Sequence, residues 1–123
     1  MEKLNILIVD DIKLNYIVLK AMLKSTYANV LWASNRDEAI DICDKYDIHL
    51  VLMDFQLPDV NGYDLSRELR KTHQELPIVF QTANADAVFS LSKNNVEDRS
   101  DMQVLEKPIR RETLLDTVQT YMS

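Results

Sequence analysis

Five residues of this chain have the types and spacing for chemistry on a phosphoryl group: Asp10, Asp11, Asp54, Thr82 and Lys107. They sit at the C-terminal ends of four short apolar runs, over residues 5–9, 49–53, 78–81 and 102–106. If those runs are strands of one open α/β sheet, their ends share a rim, which is where such sheets bind ligands. Three carboxylates held close together repel unless a cation is bound or a proton retained. Magnesium suits such a set, because it accepts one or two carboxylates and keeps several waters. Asp11 and Asp54 suit direct ligation, with Asp10 acting through water or steadying the other two. A carboxylate can also attack phosphorus and form an acyl phosphate. Asp54 is the candidate nucleophile, since it stands alone at the end of the most apolar run. The Lys107 ammonium would bind one phosphoryl oxygen, and the Thr82 hydroxyl with the Ala83 backbone N–H another. Taken singly, an Asp at a strand end is commonly a turn residue, and a lysine there a solvated charge. Their combination at four strand ends carries the reading.

The elements that must position these residues alternate strand and helix five times. After the first strand, Leu14, Ile17, Val18, Ala21 and Met22 recur at helical spacing and predict a helix with that stripe toward the core. Residues 30–33 predict a second strand, and Ser34 with Asp37 three positions on predicts the start of a helix through Lys45. The run 49–53 is nearly all apolar, as in a central parallel strand covered on both faces. Pro58, Asp59, Asn61 and Gly62 mark a loop before a helix carrying Leu65 and Leu69. Pro77 opens the fourth strand, where its missing N–H matters least. Asn84 or Asp86 can cap a following helix that carries Val88, Phe89 and Leu91. The last helix is expected over 111–122, with Leu114, Leu115, Val118, Tyr121 and Met122 on one face. Right-handed parallel crossovers then give a flavodoxin-like (βα)₅ doubly wound α/β fold, a five-stranded parallel sheet in the order 2-1-3-4-5. In that order the first and third strands are neighbours, so Asp10, Asp11 and Asp54 meet at the switch point.

Bulk properties narrow the function classes. A chain of 123 residues has the length of one domain with one core, here residues 1–123. Its 46% apolar and 28% charged composition is that of a globular protein and argues against disorder. A net charge of −6 argues against direct nucleic-acid binding through a broad basic face. Cys43 is the single cysteine, so an intrachain disulfide is excluded and a reducing, cytoplasmic setting is expected; its flanks suggest a helix and core packing. Nothing resembles a signal peptide or approaches the roughly 18 apolar residues of a membrane span, so no membrane contact is expected. The lone glycine, Gly62, weighs against dinucleotide and P-loop sites, which need several. His49 and His73 read as structural.

Ile8-Val9-Asp10-Asp11, Met53-Asp54 with Pro58 and Gly62 following, Thr82-Ala83 and Lys107-Pro108 together resemble the receiver domain of two-component response regulators, over essentially the whole chain. The resemblance implies that Asp54 accepts a phosphoryl group from a phosphohistidine on a sensor histidine kinase or a histidine phosphotransfer domain. It implies magnesium at Asp10 and Asp11, together with Asp54 and the backbone carbonyl of Gln56. Lys107 would contact the phosphoryl group, and its bond to Pro108 would be cis. The chain would then catalyse its own phosphorylation and slow dephosphorylation, without being a conventional enzyme, as a monomer or weak dimer with an output partner the sequence does not name. The amides Gln56 and Asn84, two positions beyond Asp54 and Thr82, imply an intermediate rate of hydrolysis. Asn15 resembles receivers attached to hybrid sensor kinases, whose first helix typically meets the histidine protein; Leu14, Tyr16 and Ile17 are the docking candidates there, with Tyr16 preferred because the other two fit the core stripe.

Two departures from the family pattern bear on output. The family usually places an aromatic residue three positions before the lysine, coupled in its rotation to the threonine, and Val104 stands there. The segment 94–101 is polar and lacks the usual small residues, as a surface loop or a partner-specific surface would. Rival readings are an aspartyl-phosphate phosphohydrolase and a docking module that is never phosphorylated. The first lacks its usual acid–base aspartate, because Gln56 occupies that place; the second leaves three repelling carboxylates without a purpose.

Overall fold

Alternation along the first strand sets the architecture: Ile6 and Ile8 point to one face of the sheet, Leu7 and Val9 to the other, and all four are fully buried. A strand apolar on both faces must be covered on both faces, which is the doubly wound arrangement. The computed structural model describes residues 3–84, 86 and 103–122. Five strands, β1 (Leu4–Val9), β2 (Ala28–Ala33), β3 (Leu50–Asp54), β4 (Ile78–Thr82) and β5 (Gln103–Glu106), form one parallel sheet in the order β2-β1-β3-β4-β5. The described helices are α1 (Lys13–Met22), α2 (Arg36–Lys45), α3 (Gly62–Thr72) and α4 (Arg111–Met122), with a 3₁₀ turn at Leu23–Ser25. The expected helix with Val88, Phe89 and Leu91, the segment 94–101 and Met102 lie outside the described residues; Asp86 is helical and exposed.

Each face of the sheet has its own core. Leu7, Val9, Val51, Met53 and Phe80 pack with Ala39 and Cys43 of α2 and with Leu65 and Leu69 of α3. Ile6, Ile8, Leu52 and Val79 pack with Leu19 of α1, Leu23, and Leu114 and Val118 of α4. Cys43 is buried in the first of these, as its helical flanks suggested. His49 Nδ1 accepts the Asn5 N–H at 2.9 Å, and His73 Nε2 lies 3.2 Å from Asp44 Oδ1, both structural roles.

Three expectations need correction. Apart from Met22, the expected apolar stripe of α1 does not face the sheet: Leu14 is 65%, Ile17 48% and Val18 43% exposed, and Ala21 is exposed too. The helix is rotated so that Tyr16, Leu19, Met22 and Leu23 meet the core. Two contacts hold that rotation: Tyr16 stacks on Trp32 with ring centroids 5.2 Å apart, and the Asn15 amide bonds Asp10. Tyr16 is therefore committed to packing, and Leu14 and Ile17 are the side chains open to a partner. The cap of α2 is Asn35 rather than Ser34. Asn35 Oδ1 accepts the Glu38 N–H at 2.9 Å, while the Glu38 carboxylate accepts both the N–H and the hydroxyl of Ser34 at 2.8 Å. The longer Glu38 side chain closes this reciprocal box, which Asp37 does not. Finally, β2 begins at Ala28, two residues before the expected start, because its pairing with β1 extends back to Leu4.

Candidate functional site

Strand register assembles the rim. Val9 is level with Met53 on the neighbouring strand, so Asp10 and Asp54 leave the sheet side by side. Asp54 is level with Gln81, and Thr82 with Glu106, which brings Lys107 to the same edge. The Lys107 N–H donates to the Thr82 carbonyl at 2.7 Å, and the Lys107–Pro108 bond is cis.

Asp10 is fully buried, and its carboxylate is well partnered. It accepts the Ile12 N–H at 2.9 Å, the Asn15 amide at 3.2 Å and the Lys107 ammonium at 3.3 Å. Asp54 is 5% exposed; its Oδ1 accepts the Gln56 N–H at 3.1 Å and its Oδ2 lies 3.5 Å from Lys107 Nζ. Asp11 is exposed. One oxygen from each of the three carboxylates lies within 4.8 Å of the others. Burial pushes the Asp54 carboxyl above the ordinary carboxylate range; the Gln56 N–H and Lys107 pull it back down, while Asp10 adds to the rise. A single ammonium thus serves two buried carboxylates beside a third that faces solvent. The set is all hard oxygen, with negative charge in excess of the one cation found there among the described residues, and suits a hard divalent cation.

Thr82 is buried at the same edge, but its hydroxyl is engaged by Asn84, accepting the N–H at 3.1 Å and lying 3.3 Å from the carbonyl. Ala83 follows and is exposed. Gln56 is exposed, and it bridges to Asn61 across the loop after β3. That loop depends on Gly62. A Cβ built there would lie 2.4 Å from the Asp54 carbonyl oxygen and 2.9 Å from Phe55 Cα, so only glycine lets α3 begin this close to the Asp54 backbone. The Gly62 N–H donates to the Phe55 carbonyl at 2.7 Å. Val104 is half-buried, level with Phe80, and packs on the core that contains the edge-to-face pair Phe55–Phe80.

Two contributors were not legible as site residues. Trp32 Nε1 donates to the Asp10 carbonyl at 2.8 Å, from a strand with no motif of its own. The Ile12 N–H bonds the Asp10 carboxylate only because the chain turns sharply between β1 and α1. Asn15 was legible as a family mark, though not as a direct ligand of Asp10. Beside the rim, a groove of about 390 Å³ runs between α1 and the turn after β5, lined by Leu14, Val18, Met22, Pro108 and Ile109 with Lys107 at its edge.

Residues 6–119 match the family model described as the response regulator receiver domain. The chain is 42% identical over 84 residues to the aerobic respiration control sensor protein ArcB of Escherichia coli strain K12, a match that covers 66% of this chain and 11% of that protein. It is 31% identical over 113 residues to the autoinducer 2 sensor kinase/phosphatase LuxQ of Vibrio vulnificus strain YJ016, covering 92% of this chain and 13% of that one. The chain thus spans only a small part of the curated relatives it matches. Among solved structures, the non-phosphorylated HemR receiver domain of Leptospira biflexa is 30% identical with a TM-score of 0.80, covering 98% of this chain and 95% of that one. The Vibrio cholerae chemotaxis protein CheY4 shares the fold at a TM-score of 0.84 and 22% identity, covering 98% and 99%.

Proposed function

Because the chain belongs to the response regulator receiver family of two-component signalling, we propose that Asp54 is its phosphoacceptor and that Asp10, Asp11, Asp54 and the Gln56 carbonyl hold a magnesium ion. The observation that carries this reading is the geometry of Asp54: a buried carboxylate whose Oδ2 is 3.5 Å from Lys107, within 4.8 Å of two further carboxylates. In the transfer, an Asp54 oxygen bonds phosphorus as the phosphorus–nitrogen bond of a phosphohistidine breaks and imidazole leaves. When bound, magnesium supplies charge neutralisation on the phosphoryl oxygens. Lys107 supplies the second positive contact, turning from Asp10 and Asp54 to a phosphoryl oxygen. Thr82 exchanges its Asn84 contact for the phosphoryl group, with the Ala83 N–H as a further donor. That exchange moves Ala83 and Asn84 and shifts a two-state equilibrium.

The partner reading rests on α1. Ile12, Leu14, Ile17 and Val18 form an exposed apolar face that continues into the groove beside Lys107. A helix bearing the phosphohistidine of a sensor kinase or phosphotransfer domain would cover that face while presenting its imidazole to Asp54. No described helix is long and apolar enough to cross a membrane, and we assign the domain to the cytoplasm, where a kinase donor works. Changing Asp54 to Asn abolishes labelling by acetyl phosphate in magnesium; persistent labelling of Asp54→Asn would refute the assignment.

A further inference from the structure

The geometry points to Trp32 as a positioning residue for the acidic turn, a role that rests on the reading of Asp10, Asp11 and Asp54 as a magnesium site. The parallel ladder between β1 and β2 ends with the Asp10 N–H on the Ala33 carbonyl at 3.0 Å. In this register the next rung would bring the Asn35 N–H to the Asp10 carbonyl, but β2 ends at Ala33 and Asn35 turns away to cap α2. The indole of Trp32 takes over that rung from the side, its Nε1–H 2.8 Å from the Asp10 oxygen.

The donor is itself held. Tyr16 lies against the indole at 5.2 Å with only 11° between the ring planes, and Tyr16 in turn packs on the core under α1. One peptide therefore carries both fixed groups: Asp10, anchored by Ile12, Asn15 and Lys107 through its side chain, and its carbonyl, anchored by Trp32. The peptide that Trp32 holds is the one joining Asp10 to Asp11. Asp11 is exposed and makes no side-chain hydrogen bond among the described residues, so this backbone aims its carboxylate. Releasing the carbonyl frees that peptide to rotate and costs the site its preorganisation.

Trp32 is the only tryptophan, so its N–H can be deleted chemically without touching another residue. Replacing tryptophan throughout with the benzothienyl analogue of alanine keeps the ring shape and its stack on Tyr16 and substitutes sulfur for N–H; Trp32→Phe is the genetic counterpart. Calorimetric titration with magnesium chloride is expected to show dissociation constants about three- to tenfold weaker in both, the size expected for one lost hydrogen bond. Melting of the benzothienyl protein in chelator should fall only as far as one lost hydrogen bond accounts for, while the rise in melting temperature on adding magnesium shrinks. Magnesium affinity equal to that of the unmodified protein would overturn the positioning role, and lower stability in chelator without any affinity change would mark Trp32 as merely structural. Absence of magnesium binding by the unmodified protein would instead defeat the reading of the acidic cluster itself.

Discussion

Asp54, the proposed phosphoacceptor, is also a residue that costs the fold stability. Its folded carboxyl is raised above the ordinary value, chiefly by burial, so the folded state holds the proton more tightly than the unfolded chain. Stability from that proton is fully present below the ordinary carboxylate pKa of about 4 and is lost as pH rises through the higher folded value. At neutral pH the ionised group therefore costs stability when no cation is bound. Asp54→Asn should melt at a higher temperature than the parent in chelator at pH 7, and thermal scans should show the advantage fading as pH falls toward about 4. Cys43 is the opposite kind of residue. Burial pushes its thiol up to about 11, so a thiol-reactive disulfide reagent should leave it untouched in native protein at pH 8 and modify it fully once denaturant is added.

At the scale of elements, the loop from Asp54 to α3 links fold and chemistry. The Asn61 side chain caps α3 by accepting the Asp64 N–H at 2.8 Å, and Gly62 lets that helix start against the Asp54 carbonyl. Gly62→Ala must push α3 or Asp54 aside, at a cost of about 1–3 kcal/mol as in other overpacked sites. Urea unfolding should show that loss, and acetyl phosphate labelling should slow because the Asp54 carboxylate shifts with its backbone. Asn61→Ala is the comparison: losing a cap costs about 1 kcal/mol without a steric clash at Asp54, and labelling should persist. Helices α2 and α3 are also joined by Arg36, whose Nε donates to Glu68 Oε2 at 2.9 Å with a second, shorter contact beside it.

The whole molecule presents two unlike surfaces to the rim. The carboxylates give it charge, and the exposed face of α1 gives it an apolar approach immediately beside that charge. Ile17→Asp should leave stability within about 0.5 kcal/mol, as at other exposed positions. It should also leave acetyl phosphate labelling intact, yet slow transfer from a phosphohistidine protein about tenfold, as loss of an interface anchor does. Transfer kinetics with a phosphorylated histidine phosphotransfer domain check this, and an undiminished rate would move the docking surface elsewhere. Tyr16→Asp should behave differently, unfolding more readily because it breaks the stack on Trp32.

Much of this was legible in the residues. The continuous apolar runs of β1 and β3 dictate strands covered on both faces, and parallel order then forces Asp10, Asp11, Asp54 and Lys107 onto one rim. What the linear pattern could not decide was rotation and reach. Leu14, Ile17 and Val18 have flawless helical spacing, yet spacing specifies only that a stripe exists and not which stripe faces the sheet. That choice was made by contacts between elements, the stack of Tyr16 on Trp32 of β2 and the bond from Asn15 of α1 to Asp10 at the end of β1. The indole on the Asp10 carbonyl has the same origin. It joins positions 22 residues apart, and a hydrogen bond of that reach exists only once the sheet has set its register.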